Sequence, residues 1–338
     1  MQRLIIGIDV SKDTLDVAFW ENDEAIFQGK FPNNEDGFLT IAQKIEAKCQ
    51  ETNTTSILVV MEPTGGYEQP FARFVIHKQW QVSLPNPYRV KQWAIAMGIR
   101  AKTDRRDAKT LAHYGFMQDP HQWKPLPPEV EQLEHLLDRL DDQNAALAQE
   151  MNRLDAYQNR VNSHKVACRD LKQTIAFLER QINKIRKAIR EHLKAHPHLK
   201  EQKKILLTVP GVGEKNVLYI LVMMHRWREL TDGAGTSNGL VAYVGLDPKP
   251  HESGTSVRKR AGISRQGSRP FRSRLFMSAL GGIRGANSPL RSFYDRLVGN
   301  GKAKKLALIA AARKILVWCW AVFRYNTPFD TARFENLH

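Results

Sequence analysis

The first 120 residues alternate short apolar runs with turn residues. LIIGIDV, TLDVAFW and AIFQGKF are three β runs separated by SKD and ENDE, which predicts an antiparallel meander. From about Asp36 to Cys49, Phe38, Ile41, Ile45 and Cys49 recur on one helical face. The buried run SILVVM follows, then a helix from about Tyr67 to Lys78, the strand QVSLP, and helices around 87–98 and 105–117. From Glu129 to about His196 there is neither Pro nor Gly, and the period changes. Leu133, Leu137, Leu140, Asn144, Leu147, Met151, Leu154, Gln158 and Val161 step by alternating fours and threes, an a/d heptad with two polar interruptions that can fix register. The phase slips across Asn162–Asp170 and resumes through Leu171, Ile175, Leu178, Ile182, Ile185 and Ile189. This predicts a coiled-coil arm: a helical hairpin, or a long kinked helix that dimerises. Beyond it, ILLTVPGVGEKNVLYIL (205–221) places two helical segments around a Pro-Gly-Val-Gly turn, the helix-hairpin-helix pattern. The apolar stretch 306–323 contains Arg313 and Lys314 and predicts a buried helix rather than a membrane span.

These periods divide the 338 residues into an α/β region (1–128), a helical arm (129–200) and a mostly helical region (201–338). That length exceeds one ordinary core. The formal net charge of +16 is unevenly distributed. Residues 1–128 carry 15 Lys and Arg against 15 Asp and Glu, residues 129–200 carry 13 against 11, and residues 201–338 carry 23 against 9. From Ser253 to Tyr294 there are nine basic residues and no acid. A surface built only for solubility intersperses both signs, so this segregation points to a polyanion, nucleic acid above all. Arg258, Lys259, Arg260, Arg265, Arg269, Arg272 and Arg274 are the expected backbone contacts. Lys102 and Arg105 add two more in the first region. Gly211, Gly213 and Lys215 offer a close-approach turn ahead of a helix N-terminus, a geometry suited to phosphate. No basic amphipathic helix or lipidation pattern supports a membrane partner. Cys49, Cys168 and Cys319 are isolated, which predicts a reducing compartment. With no signal-peptide pattern at the N-terminus, the expectation is a cytoplasmic, nucleoid-associated prokaryotic protein.

Four acids stand out. Asp9 ends LIIGID, Glu62 ends SILVVME, and Asp104 and Asp107 lie one helical turn apart in KTDRRDAK. A strand that buries apolar residues and closes on an acid places that acid at a rim. Three meander strands followed by strand–helix units are the element order of a ribonuclease H-like fold, in which acids occupy strand one and the end of strand four. Here those are Asp9 and Glu62. Four converging carboxylates repel one another unless a divalent cation joins them, and hard oxygen donors suit Mg²⁺ or Mn²⁺. Such a site supports phosphodiester cleavage. Asp13 and Asp16 read as solvated strand-edge acids, His113 as a packed residue, and Trp93, in YRVKQW, as an open position for RNA contact.

GIDVSKDTLDVA, MEPTGGY, KTDRRDAKTLA, PGVGEK, AYVGLDP and ESGTSVRKRAGISRQGS, in this order over roughly residues 4–331, resemble the DEDD transposases of insertion-sequence family one-ten, relatives of the Piv DNA invertases. The resemblance implies a RuvC-like ribonuclease H domain, a coiled-coil arm and a C-terminal transposase domain. It places the acidic tetrad at Asp9, Glu62, Asp104 and Asp107, and a nucleophilic serine of an E-S-G-x-S motif at Ser253. It further implies donor and target DNA as substrates, a structured non-coding bridge RNA as guide, and a dimer or tetramer with a site shared between protomers.

Three other readings compete. A RuvC-like structure-specific endonuclease, such as a junction resolvase, uses water as nucleophile and has no use for Ser253. An actin-like kinase also begins GIDxG, but Val10 stands where its phosphate-binding glycines begin. A non-enzymatic nucleic-acid binder has no need of four acids in this order.

Overall fold

The computed structural model describes residues 3–99, 104–160, 164–253, 257–285 and 288–334. The side chains of Asp104 and of residues 249–253, 257–261 and 333–334 lie outside that description, as does all of Lys102. The chain divides into two units, Met1–Pro125 and Leu126–His338.

In the first unit β1 (Arg3–Val10), β2 (Thr14–Glu21) and β3 (Glu24–Pro32) form the expected antiparallel meander. After α1 (Glu35–Thr52) comes β4 (Ser56–Met61), which pairs parallel to β1. Then follow α2 (Gln69–His77), β5 (Gln81–Ser83) parallel to β4, α3 (Pro87–Ala96) and α4 (Asp104–Gln118). The strand order is β3-β2-β1-β4-β5. Asn34 starts α1 by accepting from the Gly37 N–H at 3.1 Å, and Glu35 and Asp36 face the positive end of its dipole. Both faces of the sheet are covered. Leu4, Ile6 and Ile8 of β1 and Ile57, Val59 and Met61 of β4 meet Ile41 and Ile45 of α1 and Phe71 and Val75 of α2. Ile5, Leu58 and Val60 point the other way, against Val90 of α3 and Leu111 and Tyr114 of α4. A strand buried on both faces reads as a continuous apolar run, which explains SILVVM.

The second unit opens with α5 (Pro128–Gln158) and α6 (Lys165–Ala195), two 31-residue helices packed on one another. His192, near the end of α6, sets Nε2 2.7 Å from the Glu129 carbonyl at the start of α5, so the pair is an antiparallel hairpin. The hairpin alternative is therefore the one adopted. The remaining elements are α7 (Pro197–Leu207), α8 (Val217–Leu230), α9 (Ser237–Val244), the ribbon β6 (Pro248–Ser253) and β7 (Val257–Ile263), α10 (Arg269–Gly282), α11 (Pro289–Gly299), α12 (Lys304–Tyr325) and α13 (Thr331–Phe334). Leu133, Leu137, Ile189 and Leu193 belong to the same core as α7, α8 and α12, so the hairpin's base is anchored in the unit's centre. Farther along the hairpin, Met151, Val166 and Phe177 are exposed. α12 has the length and hydropathy of a membrane-crossing helix, yet 72% of its most apolar window is buried, with Trp318 and Cys319 fully enclosed.

Candidate active site

Side chains alternate across a strand, so Ile5, Gly7 and Asp9 share one face of β1, and Leu58, Val60 and Glu62 share the same face along β4. The parallel register pairs Ile8 with Met61. Asp9 and Glu62 are each the next residue, at the same edge of adjacent strands. Helix α4 crosses this face in contact with the backbone of β1. A Cβ at Gly7 would lie 2.1 Å from the Ala108 carbonyl oxygen and 2.2 Å from the Ala112 nitrogen, so only glycine allows the approach. Farther along α4, a Cβ at Gly115 would meet Val60 and Ile5 side chains at 2.7 and 2.8 Å. The helix thus runs antiparallel to β1, and its first turn, with Asp104 and Asp107, lies over the edge where β1 and β4 end. Asp9, Glu62 and Asp107 are all partly buried.

Among the described residues no three Asp, Glu, His or Cys side chains close tightly enough to hold a metal ion by themselves. The donor chemistry fits Mg²⁺ or Mn²⁺ nonetheless. These ions retain several waters and are often held by one or two carboxylates together with substrate phosphate oxygens. Asp9, Glu62 and Asp107 offer oxygen donors only, from one face of one edge.

One neighbour differs from its sequence reading. Asp13 is exposed, but Asp16 is only 4% exposed and ion-pairs with Lys30 at 3.2 Å. It lies directly across the ladder from Asp9, on the face that α4 covers. Leu15 and Val17 bury the opposite face, so the alternation placed Asp16 opposite them, but nothing in the sequence said that this second face is covered too. His113 packs as expected, stacked on Trp20 with ring centroids 4.7 Å apart. Burial pulls its imidazole pKa down. Trp93 meets His113 and Tyr114 edge-on at 5.0 and 5.3 Å, so its ring is part of this aromatic packing rather than an open platform.

The basic residues divide by environment. Arg105 is exposed, its guanidinium 5.1 Å from the Phe27 ring centroid. Lys215, Arg265 and Arg269 are exposed, and Arg265 has a left-handed backbone at φ 60°. Arg258, Lys259 and Arg260 lie along β7. Two arginines expected to contact DNA are engaged by protein instead. Arg272 donates to the carbonyls of Val244 (3.0 Å) and Gly267 (2.6 Å), bracing the base of the β6–β7 ribbon. Arg274 ion-pairs with Asp141 of α5 and stacks 3.4 Å over Tyr219, whose hydroxyl donates to Asp141 at 2.6 Å. Burial raises the Tyr219 pKa and keeps it a hydrogen-bond donor. Gly211 also has a packing role: at φ 91° its Cα faces the Ser278 carbonyl and Gly282 of α10, leaving no room for a side chain. A Cβ at Gly213 would meet open space.

Ser253 ends β6, in the last paired position, opposite Val257. The ribbon's base is fixed by the Ser264 hydroxyl on the Asp247 carboxylate and the Ser264 N–H on the Asp247 carbonyl at 2.9 Å. The motif serine is thus at the tip of a braced two-stranded ribbon. The ribbon stands in a region whose sequence predicts mostly helix.

Residues 6–162 match a transposase family named for its DEDD acids, and residues 203–295 match the transposase family described as IS116/IS110/IS902. The pilin gene-inverting proteins of Moraxella lacunata and Moraxella bovis are each 32% identical to this chain over 338 residues, covering 98% of both chains. An insertion element IS110 uncharacterized 43.6 kDa protein of Streptomyces coelicolor is 28% identical over 214 residues, 62% of this chain and 47% of its own length. A mixed α/β unit with acids on one sheet edge, followed by a basic helical unit, is the arrangement that these matches span from end to end. The chain belongs to the IS116/IS110/IS902 family of transposases.

Proposed function

We propose that this transposase is a site-specific DNA recombinase that cuts and rejoins donor and target DNA through a metal-dependent carboxylate site and a serine nucleophile, with a bridge RNA selecting the sites. The observation that carries the reading is the placement of Asp9, Glu62 and the first turn of α4 at one edge and on one face of the first unit. The strand order β3-β2-β1-β4-β5 supports a ribonuclease H-like fold for that unit. Asp9, Glu62, Asp104 and Asp107 would hold Mg²⁺ or Mn²⁺, which supplies Lewis-acid polarisation of the scissile phosphate. Ser253 Oγ attacks phosphorus in line. The Oγ–P bond forms, the P–O3′ bond breaks, and the 3′ oxygen leaves with the electron pair and takes a proton. The hydroxyl proton passes to a base, for which a tetrad carboxylate is the group we assign. A second 3′-hydroxyl attacking the phosphoserine reverses these steps, so the bond energy is retained and no ATP is needed. Inversion is the reaction in the names of the Moraxella relatives, and the exchange proposed for this chain, carried out between two sites in one DNA, would give an inversion.

On this reading the protein acts as a homo-oligomer, dimer or tetramer, with the site shared between protomers. The alternative is a structure-specific endonuclease in which water attacks. Ser253→Ala separates the two: on the serine reading it loses both recombinant product and the protein–DNA adduct seen after denaturing electrophoresis. Normal recombination by that variant contradicts the reading.

Binding through the basic tail has its own test. Replacing exposed Arg265 and Arg269 together with Ala is expected to reduce the slope of log K against log salt by about 1.8. Arg274→Ala should leave that slope unchanged and instead lower stability by on the order of 1 kcal/mol, because it frees a partly exposed Asp141. Fluorescence anisotropy at several salt concentrations measures the first, and thermal unfolding the second.

A further inference from the structure

We infer that Asn33 and Glu68 are positioning residues, which fix the two acid-bearing strand ends against one another and so set the relative placement of Asp9 and Glu62. The inference rests on the carboxylate-site reading above and adds two residues that the tetrad does not contain. Glu68 is a carboxylate only 4% exposed, in the turn that follows Glu62. One of its oxygens, Oε2, accepts from the Thr64 N–H at 2.9 Å and the Gly66 N–H at 3.0 Å. The Thr64 hydroxyl in turn donates to the Glu62 carbonyl at 2.9 Å. Gly65 and Gly66 adopt φ of 66° and 105°. Successive N–H groups turned toward one point make an anion cradle, and here the chain's own carboxylate fills it. Burying a charge is costly, and a turn alone does not require one. What the carboxylate adds is a stiff connection between the body of the unit and the backbone of Glu62.

Asn33, one residue past β3, ties that turn to the other strand end. Its Nδ2 donates to the Ser11 carbonyl at 3.0 Å and to the Tyr67 carbonyl at 3.1 Å, and its backbone N–H donates to the Asp13 carbonyl at 2.9 Å. Ser11 is two residues beyond Asp9, and Tyr67 adjoins Glu68. A single side-chain amide therefore spans the segment leaving β1 and the segment leaving β4. Carboxylates that share a cation must hold their spacing to a few tenths of an ångström, and groups that orient them from behind act on ion affinity.

The test uses the full-length protein and Mn²⁺ alone, with free ion read by electron paramagnetic resonance. Wild type should bind saturably, and Asp9→Asn should lose that binding. Glu68→Ala and Asn33→Ala should each weaken binding by about tenfold, with metal-free melting close to wild type. Glu68→Gln, whose amide oxygen can accept from both N–H groups, should recover most of the affinity. Should Glu68→Ala fail to fold, Asn33→Ala decides alone, since it alters a more exposed side chain. Wild-type affinity in the alanine variants alongside loss in Asp9→Asn overturns the positioning role and leaves the carboxylate site standing. Wild-type affinity in Asp9→Asn removes the site itself.

Discussion

Replacing Asp9 with Asn is expected to abolish strand cleavage, by about a thousandfold or more, while leaving DNA affinity nearly unchanged. The substitution preserves shape and removes the charge that holds a divalent cation against the phosphate. A metal supplies several kcal/mol of transition-state stabilisation, and about 4 kcal/mol corresponds to a factor near a thousand. The loss should fall on the chemical step, because net positive charge lies in the other unit, where residues 201–338 hold 23 basic residues against 9 acidic. Single-turnover cleavage and anisotropy on the same DNA separate the two quantities.

Gly7→Ala is expected to destabilise the first unit by about 3 kcal/mol and to remove cleavage at temperatures where the protein remains folded. By local preference alone, alanine in a strand should be at least as good as glycine. Packing reverses the sign, because the new methyl meets helix backbone at 2.1 and 2.2 Å and a helix backbone cannot rotate aside. α4 must retreat from β1, carrying Asp104 and Asp107 away from Asp9. Gly115→Ala is the control on the same helix. Its Cβ meets the γ2 methyls of buried Val60 and Ile5 rather than helix backbone, and alanine in a helix gains about 1 kcal/mol over glycine, so a smaller net loss is expected. Thermal unfolding of the two variants should therefore diverge, and only Gly7→Ala should lose cleavage.

Much of the first unit was legible because its signals are local. The alternation in β1–β3, the continuous run of β4 and the acids at two strand ends all appear within a few residues. What was not legible depends on distant covering. Asp16 reads as a surface acid until α4 and β3 are seen to enclose it. Arg274 and Arg272 read as phosphate contacts until Asp141 of α5 and the Val244 carbonyl are brought beside them. Gly211 reads as a phosphate-approach glycine until α10 is packed against it. The β6–β7 ribbon gave only a weak alternation, since PKPHES has no aliphatic residue and Lys259 interrupts the series Val257, Ala261, Ile263 in VRKRAGI, and its pairing depends on a base fixed by Asp247 and Ser264. The heptad predicts one continuous stripe, but in α5 only its base is enclosed: Leu133 and Leu137 join the larger core, whereas Met151 is exposed and Gln143, off the stripe, is buried, because a/d spacing marks a face and not what covers it.

The most direct measurement is the anomalous scattering of Mn²⁺ in crystals of the full chain with a DNA substrate. The account predicts a peak about 2.0–2.2 Å from carboxylate oxygens of Asp9 and of at least one of Glu62, Asp104 and Asp107. A well-ordered DNA complex that cleaves in the crystal with its Mn²⁺ bound elsewhere, and those four acids facing solvent, would contradict it.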